Sequence, residues 1–105
     1  MHRQGTIQVR TALPEEIPIV VGFVERLMCE QSRQTLELDY ESMSRAALEI
    51  MAIEQNHIFL AFDGERPVGM AGLVQSAAIN AYGKFGMLNE LYVEPDYRNN
   101  SVRAA

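Results

Sequence analysis

Residues 88–105, Leu-Asn-Glu-Leu-Tyr-Val-Glu-Pro-Asp-Tyr-Arg-Asn-Asn-Ser-Val-Arg-Ala-Ala, are where residue types and spacing first suggest chemistry. The opening residues alternate apolar with polar and include aromatic and β-branched members, the pattern of a strand, and Pro95 closes it. A short polar loop then leads toward the first residues of a helix near Ser101. The N–H groups that begin a helix have no intrahelical partner and lie at the positive end of its dipole, so such a junction attracts anions, usually phosphate or pyrophosphate.

That junction needs elements to hold it. Thr6 to Ala12 places Ile7 and Val9 on one side and Gln8 and Arg10 on the other, which predicts a half-buried strand. Leu13-Pro14-Glu15-Glu16 reads as a helix entry, since proline fits a first turn and carboxylates there favour the dipole. Ile17, Val20, Val21, Val24, Leu27 and Met28 then recur at the spacing of one helical face. Glu30 to Tyr40 is predicted as a connection. A second helix carries Met43, Ala46, Ala47, Ile50 and Met51, with Asp39 or Ser42 available as its cap.

His57 to Asp63 alternates strongly, with Ile58, Leu60 and Phe62 opposite Phe59 and Ala61. Asp63-Gly64-Glu65-Arg66 supplies a turn, and Pro67 to Gln75 returns as a third strand, completing a hairpin. Gly69 and Gly72 in that return either weaken it or mark a bulge or a close backbone approach. Ser76 to Lys84 is predicted as a connection and Phe85 to Val93 as the fourth strand. Simple alternation there puts Met87, Asn89, Leu91 and Val93 on one face and Leu88, Glu90 and Tyr92 on the other. The order is β-α-α-β-β-β and then a helix start, an α/β (α+β) domain with a sheet of about four strands.

Composition narrows the classes of function. A length of 105 residues predicts a single domain over 1–105. The net charge of −5 argues against non-specific nucleic-acid binding, which depends on Lys and Arg neutralising phosphate. The lone Cys29 excludes an internal disulfide framework and a multi-cysteine zinc site within one chain, and predicts a reducing, cytoplasmic setting. The longest apolar run, Ile17 to Val24, contains Pro18 and Gly22, which speaks against a membrane span or a secretory signal.

With the element order in place, the C-terminal stretch resembles the cofactor-binding segment of the GNAT superfamily of acyl-CoA-dependent N-acyltransferases. In that segment the fourth strand ends near Val-x-Pro and leads into Arg/Gln-x-x-Gly-x-Gly/Ala. Val93-Glu94-Pro95 and Tyr97-Arg98 match, whereas Ser101 and Arg103 stand where the family has Gly and Gly or Ala. The resemblance covers essentially the whole chain and about two thirds of the family domain, and it implies a GNAT-like mixed sheet and transfer of an acetyl group from acetyl-CoA to a primary amine.

Acyl transfer of this kind requires a neutral amine, a held thioester carbonyl and a place for the developing oxyanion. The resemblance implies a bulged fourth strand whose free N–H groups, here those of Leu91 and Val93, bind the pantetheine and thioester carbonyl. It implies an acidic base on the same strand, for which Glu90 is the candidate and Asn89 its neighbour; the competing description of Glu90 is a solvated strand carboxylate. For the pyrophosphate it implies Arg98 and the backbone of Asn99, Asn100, Ser101, Val102, Arg103 and Ala104. Arg103 cuts both ways, because its guanidinium can pair with phosphate while its bulk replaces a residue kept small. The family's catalytic tyrosine falls after a fifth strand, past Ala105.

A fourth strand without a neighbour is an exposed sheet edge, so a homodimer or other association through that edge is expected. The alternative function is accordingly a non-catalytic dimerisation or partner-binding domain derived from the same fold. The resemblance implies an acceptor that is an amine-bearing small molecule or a lysine side chain, and the acids Glu30, Glu37, Asp39 and Glu41 around the helix connection, which in the family lies near the acceptor entrance, favour a cationic one. His2 and His57 have no metal spacing, no metal is expected, and Cys29 beside the helical stripe reads as a small, partly buried residue rather than a nucleophile.

Overall fold

A computed structural model describes residues 7–32 and 38–98. The strands are β1 (Ile7–Thr11), β2 (His57–Asp63), β3 (Arg66–Ala78) and β4 (Gly83–Val93), and the helices are α1 (Ile17–Ser32) and α2 (Tyr40–Ala52). Single 3₁₀ turns occupy Pro14–Glu16, Ile79–Ala81 and Pro95–Tyr97. The sheet runs β1-β2-β3-β4 with every pairing antiparallel. Thr6 of the predicted first strand, Glu37, and the predicted helix start with Asn99 to Ala104 lie outside the described residues.

The entry to α1 shows how local chemistry fixes an element. Pro14 opens the 3₁₀ turn, the α-helix proper begins at Ile17, and Pro18 sits in the first turn, where its missing N–H has no partner to lose. Glu16 turns back so that Oε1 accepts the Leu13 N–H at 2.8 Å. Arg10 of β1 grips the same carboxylate with two bonds, 2.7 Å to Oε1 and 2.5 Å to Oε2. The Arg10 guanidinium first, and the Leu13 N–H second, pull the Glu16 carboxyl down to about 2.

Because the folded value lies below the ordinary 4.5, the clasp stabilises the fold above that pH and is lost as pH falls toward about 2. Thermal unfolding of wild type and Glu16→Gln across this window is expected to show the steeper acid loss in wild type. Parallel acid limbs would remove Glu16 as a source of the dependence.

α2 starts at Asp39, whose carboxylate accepts the Ser42 N–H at 3.1 Å and the Ser42 hydroxyl at 2.7 Å. These bonds, the hydroxyl's foremost, lower the Asp39 carboxyl below the usual range. Of the two predicted caps, Asp39 is the one used.

Both helices lie on one face of the sheet. Ile17, Val20, Val21 and Phe23 of α1 and Ala47 of α2 pack onto Ile58 and Leu60 of β2, Met70 of β3 and Tyr92 of β4. The Phe23 and Tyr92 rings are 5.5 Å apart. Phe23 joins the buried stripe in addition to the predicted positions, while Met28 is 37% exposed. The second face carries a smaller cluster of Ala61, Val68, Val93 and Tyr97, flanked by Ile7 and Leu91. Tyr97 anchors it by donating its hydroxyl to Asp63 Oδ2 at 2.6 Å.

Two predicted boundaries change. Glu30 to Ser32 continue α1 rather than begin the connection. Ser76 to Ala78 and Gly83 to Lys84 belong to strands rather than to a loop, since Ser76 faces Phe85, Ala77 faces Lys84 and Ala78 faces Gly83. The hairpin therefore turns through Ile79 to Tyr82, with Tyr82 in the left-handed region at φ 59°. Small residues with weak strand preference are drawn into the ladder because each has a partner across it.

Candidate active site on strand β4

β4 forms the outer strand of the described sheet, so one row of its backbone groups faces away from β3. Gly72 pairs with Glu90 and Leu73 with Leu88, which leaves Asn89 as an extra residue in β4. This is a β-bulge, and it bends and twists the strand where it occurs. A second bulge lies at Val68, between the pairs Ala61–Gly69 and Phe62–Pro67.

The direction of the backbone amides follows from one hydrogen bond. Glu94 donates its N–H inward to the Val68 carbonyl at 2.8 Å. Alternation along the strand then turns the Tyr92 N–H inward as well, and the N–H groups of Leu91 and Val93 outward to the open edge. Their side chains meanwhile cover the second face of the sheet.

Glu90 points to the helix-covered face, half-buried, across from Gly72. A Cβ added to Gly72 would stand 3.6 Å from Glu90 Oε1, so the carboxylate lies over the glycine in ordinary contact. Of the alternatives expected for the strand glycines, Gly72 marks a bulge, since the register shifts between it and Leu73. Beyond it a hollow of about 230 Å³ opens between the helices and the sheet, lined by Val20, Val24, Met43, Ala47, Ile50 and neighbouring apolar groups. Among the residues that line it Glu90 is the only charged one.

The bulge also corrects the predicted faces of β4. Leu88 does not share a side with Glu90 and Tyr92. It pairs with Leu73 and lies with Leu91 and Val93 on the second face, because the extra residue shifts the alternation by one. Leu88 is 56% exposed there.

Arg98 is held by the protein itself. Its Nε donates to the Val93 carbonyl at 2.7 Å and its Nη2 to Glu30 Oε2 at 2.6 Å, with the guanidinium over the Tyr92 ring. The Glu30 carboxylate raises the Arg98 pKa further above its ordinary value. Glu94 similarly ties Arg26 of α1 at 2.8 Å and Arg66 of β3 at 3.6 Å. The segment after β4 is thereby fastened to α1 by pairs 68 residues apart in sequence. Local pattern carries no sign of Arg26 and Glu94 as partners.

The acids near the helix connection are mostly engaged as well. Glu30 serves Arg98 and Asp39 caps α2, while Glu41 lies exposed in the first turn of that helix. Glu37 is outside the described residues. His57 begins β2 at the surface with its ring stacked on Phe59, and Cys29 is half-buried. Among the described residues no three His, Cys, Asp or Glu side chains form a group able to hold a metal ion. No helix among them is long and apolar enough to cross a membrane.

Residues 23–102 match the model of the acetyltransferase (GNAT) family. The chain belongs to the GNAT family. Solved structures of similar fold include a possible acetyltransferase from Clostridium difficile 630, with a TM-score of 0.77 and 17% identity over 93% of this chain. A predicted acetyltransferase with acetyl-CoA from Clostridium acetobutylicum superposes with a TM-score of 0.79 at 17% identity over 94% of the chain and 67% of its own. A transcriptional regulator from Bacillus halodurans C-125 has a TM-score of 0.75 at 20% identity, with coverage of 94% and 67%. The present chain spans 64% of the C. difficile structure. Comparison with curated protein sequences gives no match. At these identities the structures establish the GNAT fold, and β4 with its bulge is the element of that fold on which the chemistry of this chain can be argued.

Proposed function

We propose that this GNAT chain is the acetyl-CoA-binding portion of an N-acetyltransferase that moves an acetyl group from acetyl-CoA to a primary amine by direct attack. The observation that carries the proposal is the placement on one bulged strand of outward amides at Leu91 and Val93 and a helix-side carboxylate at Glu90. An extended pantetheine can add to an open edge through such amides, as a peptide strand does. The same N–H groups suit a thioester oxygen that gains negative charge.

The amine must lose a proton first, since a lysine-like amine has a pKa of about 10.4. Its nitrogen then bonds to the thioester carbon as the carbon–sulfur bond breaks and the electron pair leaves on sulfur. Glu90 provides the path by which the nitrogen's proton departs, and the thiolate takes up one proton to become the free thiol. Arg98 and the backbone and side chains from Asn99 to Arg103 are the proposed pyrophosphate ligands. Arg98 reaches a phosphate by exchanging its Glu30 partner for it.

A second reading has its own support. Among the described residues no strand pairs with the outer edge of β4, and the depression of about 320 Å³ on the second face is walled by apolar groups that include Val9, Phe59, Leu88 and Leu91. Such an edge and face favour association, either as a homodimer through β4 or as a non-catalytic binding domain. Residues 1–105 act as one domain in both readings, in the reducing cytoplasmic setting that a lone, half-buried thiol suits.

Calorimetric titration of the 105-residue chain with acetyl-CoA, on a sample of known oligomeric state, separates them. Saturable binding near one site per chain is expected. A folded sample that gives no heat would leave the association reading in possession.

A further inference from the structure

The hollow between α1, α2 and the sheet has a chemistry of its own. Its walls are valine, methionine, alanine and isoleucine side chains, and its one charged group is Glu90. Among the described residues no hydrogen bond or ion pair engages that carboxylate, whereas Glu16, Glu30, Asp39, Asp63 and Glu94 are each satisfied by a named donor. A half-buried carboxylate beside an apolar hollow is poorly solvated, and a cationic partner relieves that penalty. Methionines at the rim, Met28 and Met43, adapt to irregular apolar shapes.

Polycations fit the site less well. Of the acids of the helix connection that would draw them, Asp39 is committed to the α2 cap, and Glu30 is held by Arg98 until a phosphate takes its place. At about 230 Å³ the hollow is below the roughly 300–1,000 Å³ of sites for drug-sized ligands, so the occupant is small.

We infer that this hollow binds the apolar tail of a small primary alkylamine, with its amino group at Glu90. That this amine is the acetyl acceptor rests on the transferase reading above. The inference thus narrows the cationic acceptor expected from the acid-rich connection to one that carries a single charge at one end and hydrocarbon at the other.

The probes are n-hexylamine, n-hexanol with the same tail and no charge, and spermidine with charge along its whole length. Each is titrated into the full chain while the methyl resonances of Val24, Met43 and Ile50 are followed by NMR. Hexylamine is expected to shift these methyls saturably and to bind at least about tenfold more tightly than either control. Glu90→Gln, nearly isosteric, is expected to bring hexylamine down to the level of hexanol and leave hexanol unchanged. Still methyls, spermidine as tight as hexylamine, or no effect of Glu90→Gln would each overturn the inference.

Acetyl transfer to the same amines keeps the two claims apart. Acetylation of spermidine with unmoved cavity methyls would overturn the substrate class and leave the transferase standing. Cavity binding of hexylamine in a chain that does not bind acetyl-CoA would uphold the amine site and remove the transferase.

Discussion

Glu90→Gln is expected to lower kcat/KM for acetyl transfer by about 10²–10³-fold near neutral pH, the usual weight of one acid–base group. The substitution keeps the size of the side chain over Gly72 and removes its negative charge together with its capacity to accept a proton. The deficit should depend on pH. Without the carboxylate the proposed transferase relies on amine already neutral in solution, a fraction that grows tenfold per unit up to about pH 10. The variant therefore regains ground as pH rises, and its profile stays steep where that of wild type has levelled. Steady-state kinetics over this range decide the matter. An equal loss at every pH would assign Glu90 to amine binding alone, and no loss would remove it from the mechanism.

Leu60→Ala is expected to cost about 2–5 kcal/mol. Leu60 is fully enclosed, 0% exposed, at the centre of β2. It pairs with Arg10 of β1 on one side and Met70 of β3 on the other, and its side chain sits beneath the helices. Backbone pairing on both sides prevents the strand from moving in to fill the space. A domain of this size has only about 5–15 kcal/mol to lose, so the midpoint of urea unfolding should fall substantially with little change in slope. A loss under about 1.5 kcal/mol would mean that the neighbouring side chains collapse into the space.

The sequence made some of this plain. β2 was legible to the residue because a half-buried strand between neighbours must alternate, and His57 to Asp63 does. The α2 cap was legible to one of two residues, Asp39 or Ser42, and the structure makes Ser42 the donor to Asp39. What failed was whatever depended on a partner distant in the chain. Ser76, Ala77 and Ala78 have weak strand preference, and only β4 across the ladder makes them strand. Leu88 was placed on the wrong face because alternation contains no mark for an inserted residue; Gly72, opposite the bulge, and the bulged fourth strand implied by the GNAT resemblance were the available hints. The Arg98 match with the family segment was visible, but its engagement by Glu30 was not.

The bulge at Asn89 has a consequence for how this strand tolerates insertion and deletion. The phase of Glu90, Leu91, Tyr92 and Val93 is set from the far end, where Glu94 bonds to Val68. Beyond the bulge, residues 83–88 count their own phase with β3. One residue gained or lost within that arm turns over the side chains of the arm and stops at the bulge, whereas the same change between Glu90 and Glu94 carries the carboxylate out of the hollow. Length can drift at the hairpin while the four residues after Asn89 remain in frame.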